Sequence, residues 1–214
     1  MFRNHLIGIL CVAVSPFFVG VAIQAEDASI VQQKAVAEPG RIFLQQVSFD
    51  SAMVKWRDGP DTIWYGSKPE ELNLTVTASV EAHHKIARLE GLSPDTRYYY
   101  TFQETGPGAT IMSFRTAPVP GSLPDDGNTH IWLLGDSGTA TQGIQGTFSH
   151  EGEAIDVMNG FLKYNKSQAG DEPLDLLLLL GDNAYLEGTD EQWQGAFFDI
   201  YTDIIQGTAT WPTI

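Results

Sequence analysis

The stretch Leu176-Leu177-Leu178-Leu179-Leu180-Gly181-Asp182-Asn183-Ala184-Tyr185 decides the fold. Five consecutive leucines with no polar alternation predict a strand buried on both faces, and Gly181-Asp182 ends it by delivering a carboxylate. A similar unit lies upstream: Ile131-Trp132-Leu133-Leu134-Gly135-Asp136-Ser137-Gly138. Between the two, Gly152 to Tyr164 carries Ile155, Met158, Phe161 and Leu162 at helical spacing. Strand, helix and strand make a βαβ crossover, so the two strands should be parallel. Open α/β sheets bind ligands beyond the carboxyl ends of their strands, which brings Asp136 and Asp182 together. Two bare carboxylates side by side repel, and a cation between them relieves the repulsion.

Gly135-Asp136-Ser137-Gly138 and Gly181-Asp182-Asn183-Ala184-Tyr185 resemble the first two motifs, GDxG and GDxxY, of purple acid phosphatases within the calcineurin-like metallophosphoesterases. The resemblance implies hydrolysis of phosphate esters by a metal-bound hydroxide at a dinuclear centre. It implies that Asp136 ligates the first metal, that Asp182 bridges both, and that Tyr185 ligates the first as a phenolate. Binding a phenolate at neutral pH needs a strong Lewis acid, because free tyrosine has a pKa of about 10. The implied cofactors are therefore Fe(III) plus a divalent metal (Fe, Zn or Mn). The family's later motifs (GNH-D/E, VxxH, GHxH) are absent, no histidine follows His150, and Trp211-Pro212-Thr213-Ile214 resembles the approach to the GNH motif. The remaining ligands and the general acid are expected beyond Ile214. The chain thus reads as the leading, truncated part of a longer protein whose complete family fold has four αββα layers.

Upstream of these motifs the pattern changes to short strands. Ile42-Phe43-Leu44, Ala52 to Trp56, Thr62 to Tyr65, Leu74 to Thr77, His83 to Leu89, Arg97 to Phe102 and Ile111 to Arg115 alternate or run apolar. Asp58-Gly59-Pro60, Lys68-Pro69 and Gly106-Pro107-Gly108 separate them as turns. These strands predict a β-sandwich of the immunoglobulin or fibronectin III kind, with Trp56 as its core tryptophan. Leu92-Ser93-Pro94-Asp95-Thr96-Arg97-Tyr98 resembles the tyrosine corner of fibronectin III domains, in which the tyrosine hydroxyl bonds a backbone group. A domain of this kind precedes the catalytic domain in the larger purple acid phosphatases. The expected organisation is a signal peptide over 1–25, an N-terminal segment over 26–37, and a fibronectin III-like domain over 38–118. A linker over 119–129 then leads to the first part of an α/β metallophosphoesterase domain over 130–214. Glu191 to Gln206 should form a further helix, with Trp193, Phe197, Ile200 or Tyr201, and Ile204 on one face. His83 and His84, adjacent on a strand, point to opposite faces and read as ordinary strand residues.

The start, Met1-Phe2-Arg3-Asn4-His5 followed by an apolar run from Leu6 to Ile23 and then Gln24-Ala25, reads as a secretory signal peptide, with an uncleaved membrane anchor as the alternative. Cleavage after Ala25 removes Cys11, the one cysteine, and one cation, Arg3, taking the net charge from −15 to −16. The mature chain then needs no disulfide and is expected to be secreted or periplasmic, without stable membrane association. So acidic a surface argues against a nucleic-acid partner. The phosphate ester that the resemblance implies as substrate must then be drawn in by a locally positive site, which bound cations would supply. Other readings stay open. A Gly-Asp turn can simply cap the next helix or turn, and Tyr185 can be a core tyrosine. Gly135-Asp136-Ser137 also resembles the nucleophile block of GDSL esterases, with Ser137 as nucleophile needing a histidine base. A non-enzymatic exported adhesion or sugar-binding protein is the third reading. Asn73-Leu74-Thr75 and Asn165-Lys166-Ser167 match glycosylation sequons.

Overall fold

A computed structural model describes residues 37–103, 108–138, 151–170 and 174–212. The signal-peptide reading and Cys11 lie outside the described residues, as does His150. Eight strands come first: β1 (Gly40–Gln45), β2 (Ser51–Arg57), β3 (Thr62–Gly66), β4 (Leu74–Thr77), β5 (Ser79–Glu81), β6 (His84–Glu90), β7 (Arg97–Thr101) and β8 (Met112–Arg115). They form two antiparallel layers, ordered β5-β6-β2-β1 and β4-β3-β7-β8. That is the ABED and C′CFG arrangement of an immunoglobulin-type sandwich. Seven of the eight strands answer to the sequence pattern. The three-residue β5, exposed along its whole length, has no apolar side to betray it.

The sandwich core is made by the inward residues of both layers. Leu44, Val54, Trp56, Ile63, Ala87, Leu89 and Tyr100 are fully buried, and Phe114 nearly so. Each large apolar side chain removed from water here contributes roughly 1.5–3 kcal/mol. Trp56 keeps its indole N–H satisfied by donating to the Pro60 carbonyl at 3.0 Å, which is what lets so large a polar-tipped ring sit at the centre. The tyrosine corner is present: the Ser93 backbone N–H donates to the Tyr98 hydroxyl at 2.9 Å. Tyr98→Phe should lower unfolding stability by about 1–3 kcal/mol, because it strands that amide. Urea unfolding of the chain measures this, and an unchanged midpoint would show that Ser93 is solvated instead.

The α/β part adds β9 (Ile131–Leu134), α1 (Glu151–Ala169), β10 (Leu176–Leu179), α2 (Asp190–Trp193), a π-helical turn (Gln194–Phe198), α3 (Asp199–Ile205) and β11 (Ala209–Pro212). β9 and β10 pair in parallel, Ile131 with Leu176 through Leu134 with Leu179, as the crossover requires. β11, a strand the sequence pattern did not announce, pairs in parallel with β10 on one side and with β1 on the other. One sheet of seven strands therefore runs from the sandwich into the α/β part, in the order β5-β6-β2-β1-β11-β10-β9.

Two expectations need correction. The leucine strand is not buried on both faces. Trp132, Leu134, Leu177 and Leu179 meet the helices, whereas Ile131, Leu133 and Leu180 are 49%, 57% and 53% exposed. The described helices pack on the side of Trp132, Leu177 and Leu179, so the opposite face of β9 and β10 is only partly covered among the described residues, and on β11 Ala209 is buried while Trp211 is exposed. Helix α1 also turns its apolar stripe differently: Ala154, Met158 and Phe161 pack inward, while Ile155 and Leu162 are exposed. Trp132 decides that rotation, since its ring stacks on Phe161 at 3.9 Å between centroids with an interplanar angle of 2°. In the last helical run the π turn adds a residue, so that neighbours Phe197 and Phe198 both find partners. Phe197 enters the α/β core, and Phe198 packs on Phe43 of β1 at 5.6 Å.

Candidate metal centre

The two Gly-Asp units end at the same edge of the parallel ladder and are built alike. Asp136 has φ 54° and Asp182 φ 53°, both in the left-handed region that aspartate tolerates better than most residues. A backbone turned this way breaks the strand and directs the carboxylate off its end. Backbone bonds tie the turns together beyond the strands. Asp136 N–H donates to Gly181 O at 3.2 Å, Gly138 N–H to Asp182 O at 2.7 Å, and Tyr185 N–H to Gly138 O at 3.1 Å. Gly138 is required by contact. A Cβ there would lie 2.5 Å from both Asp182 O and Ala184 N, closer than any real side chain allows.

The structure brings together the three residues that the sequence singled out. The Tyr185 hydroxyl lies 3.4 Å from Asp136 Oδ1. Asp182, acting first through a hydrogen bond, and then Asp136 by its charge push the phenol pKa up to about 12. Without a cation the phenol therefore stays protonated between two anions. A cation held by the carboxylates would reverse that balance, because it favours the phenolate. Two further side-chain atoms at the same turns, Ser137 Oγ and Asn183 Oδ1, are buried with no hydrogen-bond partner among the described residues. Buried polar atoms normally have partners, so their orphaned state leaves room for an ordered water within the turns. Oxygen donors on neighbouring turns fit a hard cation. They make only part of a coordination shell, since no group of three or more His, Cys, Asp or Glu side chains comes together among the described residues.

Ser137 is only 7% exposed and faces a cavity of about 350 Å³ lined also by Asp136, Glu153 and Tyr201. Two of the described histidines are engaged elsewhere. His130 Nε2 is 3.7 Å from Asp126, and His84 Nε2 accepts from Arg57 Nε at 3.4 Å. Burial first, and then the charges of Arg57, Lys55 and Arg41, hold the His84 pKa below its ordinary value, while His83 is exposed. His84 is thus an ordinary strand residue as expected, whereas His83 lies one residue short of β6, in the turn that joins β5 to β6.

No protein-family model matches the chain, and no curated protein does. Solved structures do. The purple acid phosphatase PPD1 from yellow lupin (Lupinus luteus) seeds superposes with a TM-score of 0.55 at 18% identity, covering 82% of this chain and 35% of that one. The structure of PhoD superposes with a TM-score of 0.50 at 16% identity, over 82% of this chain and 38% of that one. Over 82% of its length the chain shares the fold of these two structures. The chain spans little more than a third of the length of either structure, and among the described residues no helix is long and apolar enough to cross a membrane.

Sequence reasoning missed a polar cluster nearby. Arg41 of β1, Arg57 of β2 and Asp190 at the start of α2 converge, with Gln194 beside them. A lone arginine on each strand and an aspartate well over a hundred residues later give no spacing signal. The one sequence hint was Thr189 followed by Gln192, a capping box that fixes Asp190 in the first turn.

Proposed function

We propose that the chain is the leading part of a purple acid phosphatase-like metallophosphoesterase, exported from the cytoplasm, that hydrolyses phosphate esters. The observation that carries this reading is the convergence of Asp136, Asp182 and Tyr185 on interlocked turns at the carboxyl end of a parallel sheet, in a phosphoesterase-like fold. In this reading Asp136 and Tyr185 would hold one metal, and Asp182 would be shared between that metal and a second. Fe(III) and a divalent ion (Fe, Zn or Mn) are the cofactors. When bound, such ions neutralise phosphoryl oxygens and acidify a water. The chain's own residues do the rest within their reach. The two carboxylates set the negative field that collects the cations, and the tied turns hold them in place. Tyr185 would give up its proton to serve as a ligand, so metal uptake should strengthen as pH rises.

The same reading assigns residues 38–118 to a fibronectin III-like domain and 130–214 to the first part of the catalytic domain. It predicts that a further layer covers the partly exposed face of β9 and β10, completing an αββα fold. Support comes from the share of the matched structures that the chain covers, and from the rule that parallel sheets are covered on both faces.

The test separates the metal reading from the esterase one. In the complete iron-loaded protein, Tyr185→Phe should remove the visible charge-transfer band of an Fe(III)-phenolate. Ser137→Ala should leave band and phosphatase turnover largely intact, and chelation should abolish turnover. Loss of activity in Ser137→Ala with no effect of chelation would instead favour a serine esterase.

A further inference from the structure

Asp190 lies five residues beyond Tyr185, and its carboxylate is held between two guanidinium forks that come from the sandwich. Arg41 Nη1 donates to Oδ1 at 2.7 Å and Nη2 to Oδ2 at 2.9 Å, and Nη2 also reaches the Asp190 backbone carbonyl at 2.7 Å. Arg57 Nη1 donates to Oδ2 at 2.7 Å and Nη2 to Oδ1 at 2.8 Å. The Arg41 Nε donates to the Gln194 side chain, and its guanidinium sits 4.9 Å over the Phe198 ring. Bidentate charge-assisted pairs are the strong ones, and two on one carboxylate fix it in position as well as in charge.

The sandwich is bent to make this contact. The register of β1 against β2 shifts between Gly40 and Phe43, a bulge that re-aims a side chain, and Arg41 has φ 49° within it. An arginine that merely coated a strand would need neither feature, and its side chain would not be 8% exposed. Backbone held in a sparsely populated region points to a role.

From Asp190 the connection back to Tyr185 has little slack. Gln192 Oε1 accepts the backbone N–H of both Glu187 and Thr189 at 3.0 Å, and its Nε2 donates to Glu187 Oε2 at 3.2 Å. Thr189 Oγ1 accepts the Gln192 N–H in return at 3.3 Å. At the near end, Tyr185 N–H is bonded to Gly138 O. The segment that carries the phenol is thus anchored at one end by the first Gly-Asp turn and at the other by two residues of the sandwich strands β1 and β2.

We infer that Arg41, Arg57 and Asp190 form a clamp through which the β-sandwich positions the Tyr185 segment against Asp136. Its meaning for catalysis rests on Tyr185 being a metal ligand, and in that setting Arg41 and Arg57 are positioning residues. The sandwich then forms part of the site's scaffold. The clamp also tolerates acid. Hydrogen bonds from Arg57 and then Arg41 hold the Asp190 carboxyl well below the usual carboxylate range. A lowered pKa means that the stabilisation is present above the ordinary aspartate value of about 3.9 and fades only as pH falls through the lowered one.

Amide hydrogen exchange on the metal-free chain tests the inference, comparing wild type with Asp190→Asn and with Arg41→Met/Arg57→Met. Exchange at Gly138, Tyr185 and Glu187 should rise about tenfold or more, while amides of β7 and β10 keep their protection. Arg57→Gln, which leaves the Arg41 fork, should give a smaller rise in the same amides and remains informative if the stronger variants fail to fold. Asp190→Glu should restore part of the protection. Unchanged exchange at the three amides, or an equal rise throughout the chain, would overturn the clamp and leave an ordinary surface tie. The measurement needs no metal. The expected exchange pattern in a protein that forms no iron-phenolate band when loaded would sink the metal reading and leave the clamp standing.

Discussion

A Gly138→Ala chain should lose about 1–3 kcal/mol or more of stability, and should lose the amide protection that joins the two Gly-Asp turns. The added Cβ would sit 2.5 Å from Asp182 O, 2.5 Å from Ala184 N and 2.8 Å from Asn183 C. All three are backbone atoms, so no side chain can swing aside, and the turns must separate. Separation breaks two reciprocal bonds, Gly138 N–H to Asp182 O at 2.7 Å and Tyr185 N–H to Gly138 O at 3.1 Å. Asp136 then parts from Asp182 and Tyr185, so in the complete protein metal affinity should fall by more than the roughly 10–100-fold that loss of an outer-shell partner costs. Gly135→Ala is the control. Its Cβ would meet only Leu180 Cβ, at an ordinary 3.5 Å. Urea unfolding and exchange at Gly138 and Tyr185 read the comparison. Equal behaviour of the two variants would show that the turns can move apart without consequence.

That contrast marks where the sequence is legible and where it is not. Both glycines stand one position from the two ends of the same Asp136-Ser137 step, and nothing in the string separates them. The difference comes from which atoms the second turn places beside each. The parallel pairing of β9 and β10 was readable, because two apolar runs ending in Gly-Asp around a helical stretch admit one right-handed solution. Tyr98 and Trp56 were readable because their neighbours in sequence set up their roles. β11 was not. Ala209-Thr210-Trp211-Pro212 carries a proline and no alternation, and it is a strand because β10 and β1 offer it edges on both sides. The partly exposed face of β9 and β10 shows the converse limit. A leucine run reports that both faces expect cover, but it does not say which part of the chain provides it. The Arg41–Asp190–Arg57 clamp joins elements that are local in space alone, so only the folded backbone, with its bulge at Arg41, discloses it.

The 214-residue chain by itself should show negligible phosphatase turnover, even with iron, zinc or manganese supplied. Asp136, Asp182 and Tyr185 offer oxygen donors alone, and no third His, Cys, Asp or Glu joins the two carboxylates among the described residues. Ions brought within roughly 4 Å of each other need more ligand charge and more fixed directions than two carboxylates and a phenol provide. One face of the parallel sheet is also poorly covered among the described residues. Ile131, Leu133, Leu180 and Trp211 leave one side of the parallel sheet open to water, with Trp211 44% exposed. A contiguous apolar face of that kind favours association over a well-ordered site. Metal affinity depends on a folded site, so poor order and few ligands act in the same direction. An extended chain that supplies imidazole ligands and a layer over that face should bind two ions per molecule and hydrolyse a simple aryl phosphate. The decisive pair of measurements is metal content and aryl phosphate turnover, for the 214-residue chain and for the extended one. Robust metal-dependent turnover by the shorter chain would mean that the site is made of residues other than these three.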